Sequence, residues 1–137
     1  MQYLDVIATG KEEIRLLGKS FWEDNTIALP WVDAGFTFSF RGQGAVIGFA
    51  PYQTELPVYL RVWVDERYSF RFAVSTGAEK ISIDGLDENT VHTVRVLMVV
   101  RGAPLYINDI RLVGDRLAVC EKPAQKLRIA FVGDSIT

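Results

Sequence analysis

Residues 35–49 read GFTFSFRGQGAVIGF, and the first half of that stretch alternates strictly. Phe36, Phe38 and Phe40 fall on one side of an extended chain and Thr37, Ser39 and Arg41 on the other. A period of two means a β-strand with one face in a core. The link Gly42-Gln43-Gly44 is short and bracketed by glycine, so the run that follows is expected to fold back as the second arm of a hairpin.

The same period runs outward from there. In PVYLRVWVDE (57–66) the apolar set is Val58, Leu60, Val62 and Val64, leaving Tyr59, Arg61, Trp63 and Asp65 opposite. YSFRFAVS (68–75) alternates through Phe70, Phe72 and Val74, and TVHTVRVLMVV (90–100) through His92, Val94, Val96 and Met98. KISIDGL (80–86) and APLYINDIRLVG (103–114) complete seven or eight strand-like runs. Turn signals at Gly42, Pro51, Gly77, DGLDEN (84–89) and RGAP (101–104) separate them, and no helical period intervenes. This predicts an all-β, antiparallel β-sandwich. The connections are too uneven for a meander, which favours the jelly-roll or Greek-key type.

Composition narrows the function. The chain has 137 residues, a formal charge of −2 and an isoelectric point near 5.4, so it offers no bulk attraction to nucleic acid or to an anionic membrane surface. A single cysteine, Cys120, leaves no internal disulfide, and no Cys/His cluster has metal-ligand spacing. Asp5, Glu12 and Glu13 interrupt the N-terminus where a secretory signal needs an apolar run, and no stretch is long enough to span a bilayer. The expected location is cytoplasmic. Asp65, Asp84 and Asp87 lie in or beside turns, where aspartate caps backbone more readily than it binds calcium.

The sandwich is expected to occupy residues 1–119. The charged, proline-containing segment 120–126 (CEKPAQK) reads as a linker. Residues 127–137, LRIAFVGDSIT, differ in kind, because Leu127, Ile129 and Phe131 on one side and Ala130 and Val132 on the other make both faces apolar. Such a strand belongs in a parallel sheet covered on both sides, and none of that sheet precedes it.

A buried strand that runs into Gly133-Asp134-Ser135-Ile-Thr resembles the first block of the GDSL, or SGNH, hydrolases. Upstream, FSFRGQGAVIGF, VWVDE, IDGLDENTVHTVRVLMVV and YINDIRLV stand in the order seen in carbohydrate esterase family 2, a jelly-roll domain followed by an SGNH domain that deacetylates sugars. The chain departs from that pattern at VVRGAP (99–104) and at Lys19, where an arginine is usual. The resemblance implies that Ser135 is the acyl nucleophile, that its backbone N–H is one oxyanion donor and that Asp134 supports the turn. It implies an acetylated saccharide as substrate, a C-terminal SGNH domain in cis as partner, and no cofactor or metal. The remaining oxyanion donors and the Asp-x-x-His base would lie beyond Thr137.

His92 is the only histidine, and its place inside a predicted strand suits a hydrogen-bonded structural role better than that of a base. Trp22, Trp31, Tyr59 and Trp63 raise a second reading, a stand-alone carbohydrate-binding module in which Tyr59 and Trp63 bind substrate by stacking. A third makes the same face a docking surface on a purely structural scaffold. A serine without its base is a weak nucleophile. The 137-residue chain is therefore expected to hydrolyse p-nitrophenyl acetate no faster than an unrelated protein of similar surface, and Ser135→Ala to change nothing. Turnover that this substitution abolishes would overturn the fragment reading.

Overall fold

A computed structural model describes residues 2–51, 57–75, 79–100 and 104–120, with only the main chain described at Val100. The predicted linker beyond Cys120 and the segment 127–137, including Asp134 and Ser135, lie outside the described residues. So do the turns at Gly77 and at 101–103.

In chain order the elements begin with β1 (Gln2–Asp5), α1 (Val6–Gly10) and a single 3-10 turn at Lys11–Glu13. Five strands follow: β2 (Arg15–Leu17), β3 (Phe21–Glu23), β4 (Thr26–Leu29), β5 (Gly35–Arg41) and β6 (Gly44–Phe49). The rest are β7 (Val58–Val64), β8 (Tyr68–Val74), β9 (Lys80–Ile83), β10 (His92–Val100), β11 (Leu105–Gly114) and β12 (Ala118–Val119). The short helix was not legible as a period in the sequence. Five residues cannot display one, and what starts it is a cap: Asp5 accepts from Ala8 N–H at 3.0 Å. Val6 and Ile7 then enter the core.

All strand pairs are antiparallel and form two sheets. One runs β3-β4-β11-β6-β9, with β1 also on β11; the other runs β12-β5-β10-β7-β8, with β2 also on β5. Between β4 and β11 the chain changes sheet at every connection except β7 to β8. The interleaved orders 4-11-6-9 and 5-10-7-8 are those of a jelly roll.

The hairpin expected across Gly42-Gln43-Gly44 is therefore not formed. β5 pairs with β10, β2 and β12, whereas β6 pairs with β11 and β9 in the opposite sheet. Gln43 marks the crossing: its N–H donates to Val113 O at 2.8 Å and its carbonyl accepts from Leu86 N–H at 2.9 Å. Gly44 is needed there, because a Cβ would collide with the Ile83 carbonyl oxygen. An arch between sheets turns Phe36, Phe38 and Phe40 toward Ala45, Ile47 and Phe49, so both apolar faces are buried in one core, which a flat hairpin would not do.

The core fills the space between the sheets. Phe36, Phe38 and Phe40 are fully buried and stack along β5 with ring centroids 6.2 and 5.5 Å apart. Val94 and Val96 lie beside them on β10, followed by Met98, and Leu60 and Val62 on β7. Phe70, in register with the buried Val62, is nevertheless exposed, because β8 is the edge of its sheet. Phe38→Ala removes the middle ring of the stack and should lower unfolding free energy by about 3–5 kcal/mol, measured by chemical denaturation at unchanged m-value.

Candidate functional site

The turn from β7 to β8 organises one end of the second sheet. Asp65 and Glu66 both have φ of +57° and Arg67 N–H bonds Val64 O at 3.1 Å, a tight left-handed turn; Val64 pairs with Tyr68, so residues 65–67 link the two strands. Glycine is the residue that fits such φ values at no cost, and an L-residue there costs on the order of 1 kcal/mol. Both side chains here have partners that offset that cost. Asp65 Oδ1 accepts from Thr93 N–H at 2.8 Å and its Oδ2 lies 2.6 Å from His92 Nδ1. Glu66 pairs with Arg95, which is only 2% exposed although it points away from the core, at 3.2 Å.

His92 stands at the start of β10 in an open cleft of about 380 Å³ lined by residues 65–67 and 90–93. Its Nε2 lies 2.6 Å from Asp87 O and 3.2 Å from Thr90 Oγ1. Thr90, His92 and Asp65 thus outline an alcohol, an imidazole and a carboxylate, but the protons are in the wrong places for nucleophilic catalysis. Thr90 Oγ1 donates to Asp87 O at 3.1 Å, and the same carbonyl faces Nε2. With a carboxylate on one ring nitrogen and a carbonyl on the other, both nitrogens are best satisfied as donors, so the imidazolium is favoured and no lone pair is left to accept a proton. Burial alone would lower the His92 pKa; the Asp65 hydrogen bond, the Asp87 carbonyl and the two carboxylate charges outweigh it and raise it above 6.5. His92 is a clamp that ties the β9–β10 loop to the β7–β8 turn, as its position in the sequence suggested.

The other end of that loop is held by Glu88, whose Oε2 accepts from the N–H groups of Asp115 and Arg116 at 3.0 Å each. The Arg116 N–H bond is the leading reason that its carboxyl lies below 4.5. Asp87 Oδ1 caps Asn89 N–H at 3.0 Å, a turn role like that of Asp65. Among the described residues no group of three His, Cys, Asp or Glu is placed to hold a metal ion, and no helix is long and apolar enough to cross a membrane.

Tyr59 and Trp63 share the outward face of β7, with Arg61 between them. Both rings are half-buried and already covered on one side: the Arg95 guanidinium lies 4.0 Å from the Trp63 ring centre and that of Arg71 4.7 Å from Tyr59. The sequence reading singled out the aromatics and missed the arginines that lie on them. Their signal is that Arg61, Arg71 and Arg95 all occupy outward registers, which becomes a cluster only when β8, β7 and β10 are known to be neighbours. Trp22 and Trp31 do not join this face. Trp22 is on β3 in the other sheet beneath Lys11 Nζ at 4.5 Å, and Trp31 lies in the loop before β5.

No family model matches the sequence, and no curated protein matches it either. Solved structures do match the fold. An acetyl xylan esterase from the rumen bacterium Butyrivibrio proteoclasticus aligns with a TM-score of 0.72 at 12% identity, over 90% of this chain and 34% of its own. A family two carbohydrate esterase from Clostridium thermocellum, solved with cellohexaose, gives 0.67 at 15% identity, over 81% and 34%. A carbohydrate esterase family 2 enzyme from Corynascus thermopiles (Myceliophthora fergusii) gives 0.62 at 24% identity, over 82% and 33%. This chain thus has the fold of part of a carbohydrate esterase. It spans about a third of the length of each of these structures.

The two loop clamps set a pH profile. Glu88 has its pKa lowered on folding, so its contribution is present above about pH 4.5 and lost as pH falls through the folded value. His92 has its pKa raised, so its contribution is complete below about pH 6.5 and lost as pH rises through the folded value. Thermal unfolding followed across pH should therefore show these two contributions together between about 4.5 and 6.5. His92→Leu should remove the decline on the alkaline side, and an unchanged decline would contradict the clamp.

Proposed function

We propose that this chain is the N-terminal accessory domain of a serine esterase that removes acetyl groups from carbohydrate, with residues 127–137 opening the SGNH-type catalytic domain. The observation that carries the reading is a conjunction in one chain. A jelly roll matches about a third of several carbohydrate esterases, and it is followed by a strand-like run into Gly133-Asp134-Ser135. In the whole protein Ser135 Oγ attacks the acetyl carbonyl. The Ser135 backbone N–H donates to the oxyanion, Asp134 orders the turn, and a histidine beyond Thr137 takes the serine proton and passes it to the departing sugar oxygen, which leaves as a hydroxyl. An acyl-enzyme forms and water releases acetate. The partners are an acetylated saccharide and the SGNH domain in cis; neither a metal nor an organic cofactor enters this chemistry.

The sandwich serves as scaffold in this reading. Sugar stacking on Tyr59 and Trp63 is the weaker alternative, because Arg71 and Arg95 already cover one side of each ring. The test is to express the chain joined to the coding sequence that follows Thr137 and assay it on acetylated xylan and mannan. Acetate release should fall at least about a thousandfold in Ser135→Ala. A continuation without an Asp-x-x-His block, or release that survives Ser135→Ala, would overturn the assignment.

A further inference from the structure

Arg61 and Arg71 stand directly opposite each other on β7 and β8 and project from the same outward face. Like charges in that register destabilise a sheet. Among the described residues neither has a carboxylate partner: Arg61 donates to Ser69 Oγ at 2.9 Å, and Arg71 lies over Tyr59. On the next strand Arg95 lies over Trp63, so three arginines and two aromatic rings share this face across three strands. The outward positions of these strands hold arginine and no lysine. Arginine with tryptophan and tyrosine is the composition of a contact that excludes water, because guanidinium desolvates more easily than ammonium and grips carboxylates in pairs.

The way the chain leaves the sandwich selects the occupant. β12 pairs with β5 in this same sheet, and Cys120 N–H donates to Ser39 O at 2.8 Å. Further along, that edge of β5 is taken by β2, with Arg15 opposite Thr37. A domain that starts at Leu127 is tethered to Cys120 by six intervening residues, a reach of at most about 25 Å over seven Cα–Cα steps. Cys120 follows β12, and from β12 to β8 is four strand spacings, about 19 Å, so the tether reaches all of this face. The outward face of the other sheet lies around the sandwich edge, beyond about 10 Å of sheet separation and two layers of side chains.

We propose that the face centred on Arg61 and Arg71 is the seat of the domain that begins at Leu127, which meets it through surface carboxylates. This rests on the function proposed above. The unfavourable Arg61–Arg71 register is then relieved by the docked acidic surface, and Trp63 and Tyr59 are the apolar anchors beneath the two ion pairs.

The experiment uses the chain continued past Thr137, with Arg61→Glu/Arg71→Glu, the milder Arg61→Gln/Arg71→Gln, and Lys80→Glu on the opposite sheet as control. The Glu pair should raise trypsin cleavage after Lys126 about tenfold and split one unfolding transition into two, while Lys80→Glu does neither. The Gln pair should do the same more weakly, and added salt should shift the parent protein toward that behaviour. The 137-residue variants act as the folding control. If the Glu pair lowers their melting temperature, the Gln pair decides. A continuation that encodes no hydrolase overturns the proposed function and this inference with it. An esterase-active protein whose cleavage and single transition are unchanged in both double variants overturns the docking alone. Binding of polygalacturonate oligosaccharides to the 137-residue chain, lost in the Gln pair, also overturns it, in favour of an acidic-sugar site.

Discussion

The structure depends on the need to bury two apolar strand faces that adjoin in sequence. Phe36, Phe38 and Phe40 on β5 and Ala45, Ile47 and Phe49 on β6 are separated by four residues, and the crossing at Gln43 sets them against each other across the core. Once that arch is fixed, β5 must find its hydrogen-bond partners far along the chain. It pairs with β10 through Phe40↔His92 to Gly35↔Leu97. The chain changes sheet again at almost every later connection, so the two sheets are interleaved.

The exception to that rule carries the local chemistry. β7 and β8 are consecutive and paired, and their turn holds Asp65 and Glu66 in the left-handed region that favours glycine. The two carboxylates there serve distinct neighbours: Asp65 holds His92 and the start of β10, and Glu66 holds the guanidinium of Arg95. The Thr90-His92-Asp65 arrangement is a useful caution in reading triads from distances. Its separations suit catalysis, yet Asp87 O accepts from the threonine hydroxyl and faces the imidazole nitrogen that would have to act as base.

The two sheets differ in the charge of their outward faces. The sheet that holds β12 is also the one with Arg61, Arg71 and Arg95 on its outward face. The opposite sheet mixes signs there, as in the Arg111–Asp109 ion pair at 3.2 Å. A chain with net charge −2 that gathers arginine on one sheet face has a polarity that bulk charge conceals.

The strands were legible in the sequence because a half-buried strand must alternate, and Val58, Leu60, Val62 and Val64 are buried as their spacing required. The sandwich class and the structural role of His92 were legible for the same reason: an imidazole within an alternating strand has neighbours on every side. Strand order was not. Period two fixes which face of a strand is inward but says nothing of whether the next strand lies beside it or across from it, and the Gly42-Gln43-Gly44 link fits both. The short helix escaped because it rests on one cap at Asp5 rather than on a period. The arginine cluster escaped because Arg61, Arg71 and Arg95 come together only through the pairing of β8, β7 and β10. Local spacing determined which residues are buried; long-range hydrogen bonding alone decided which outward side chains became neighbours.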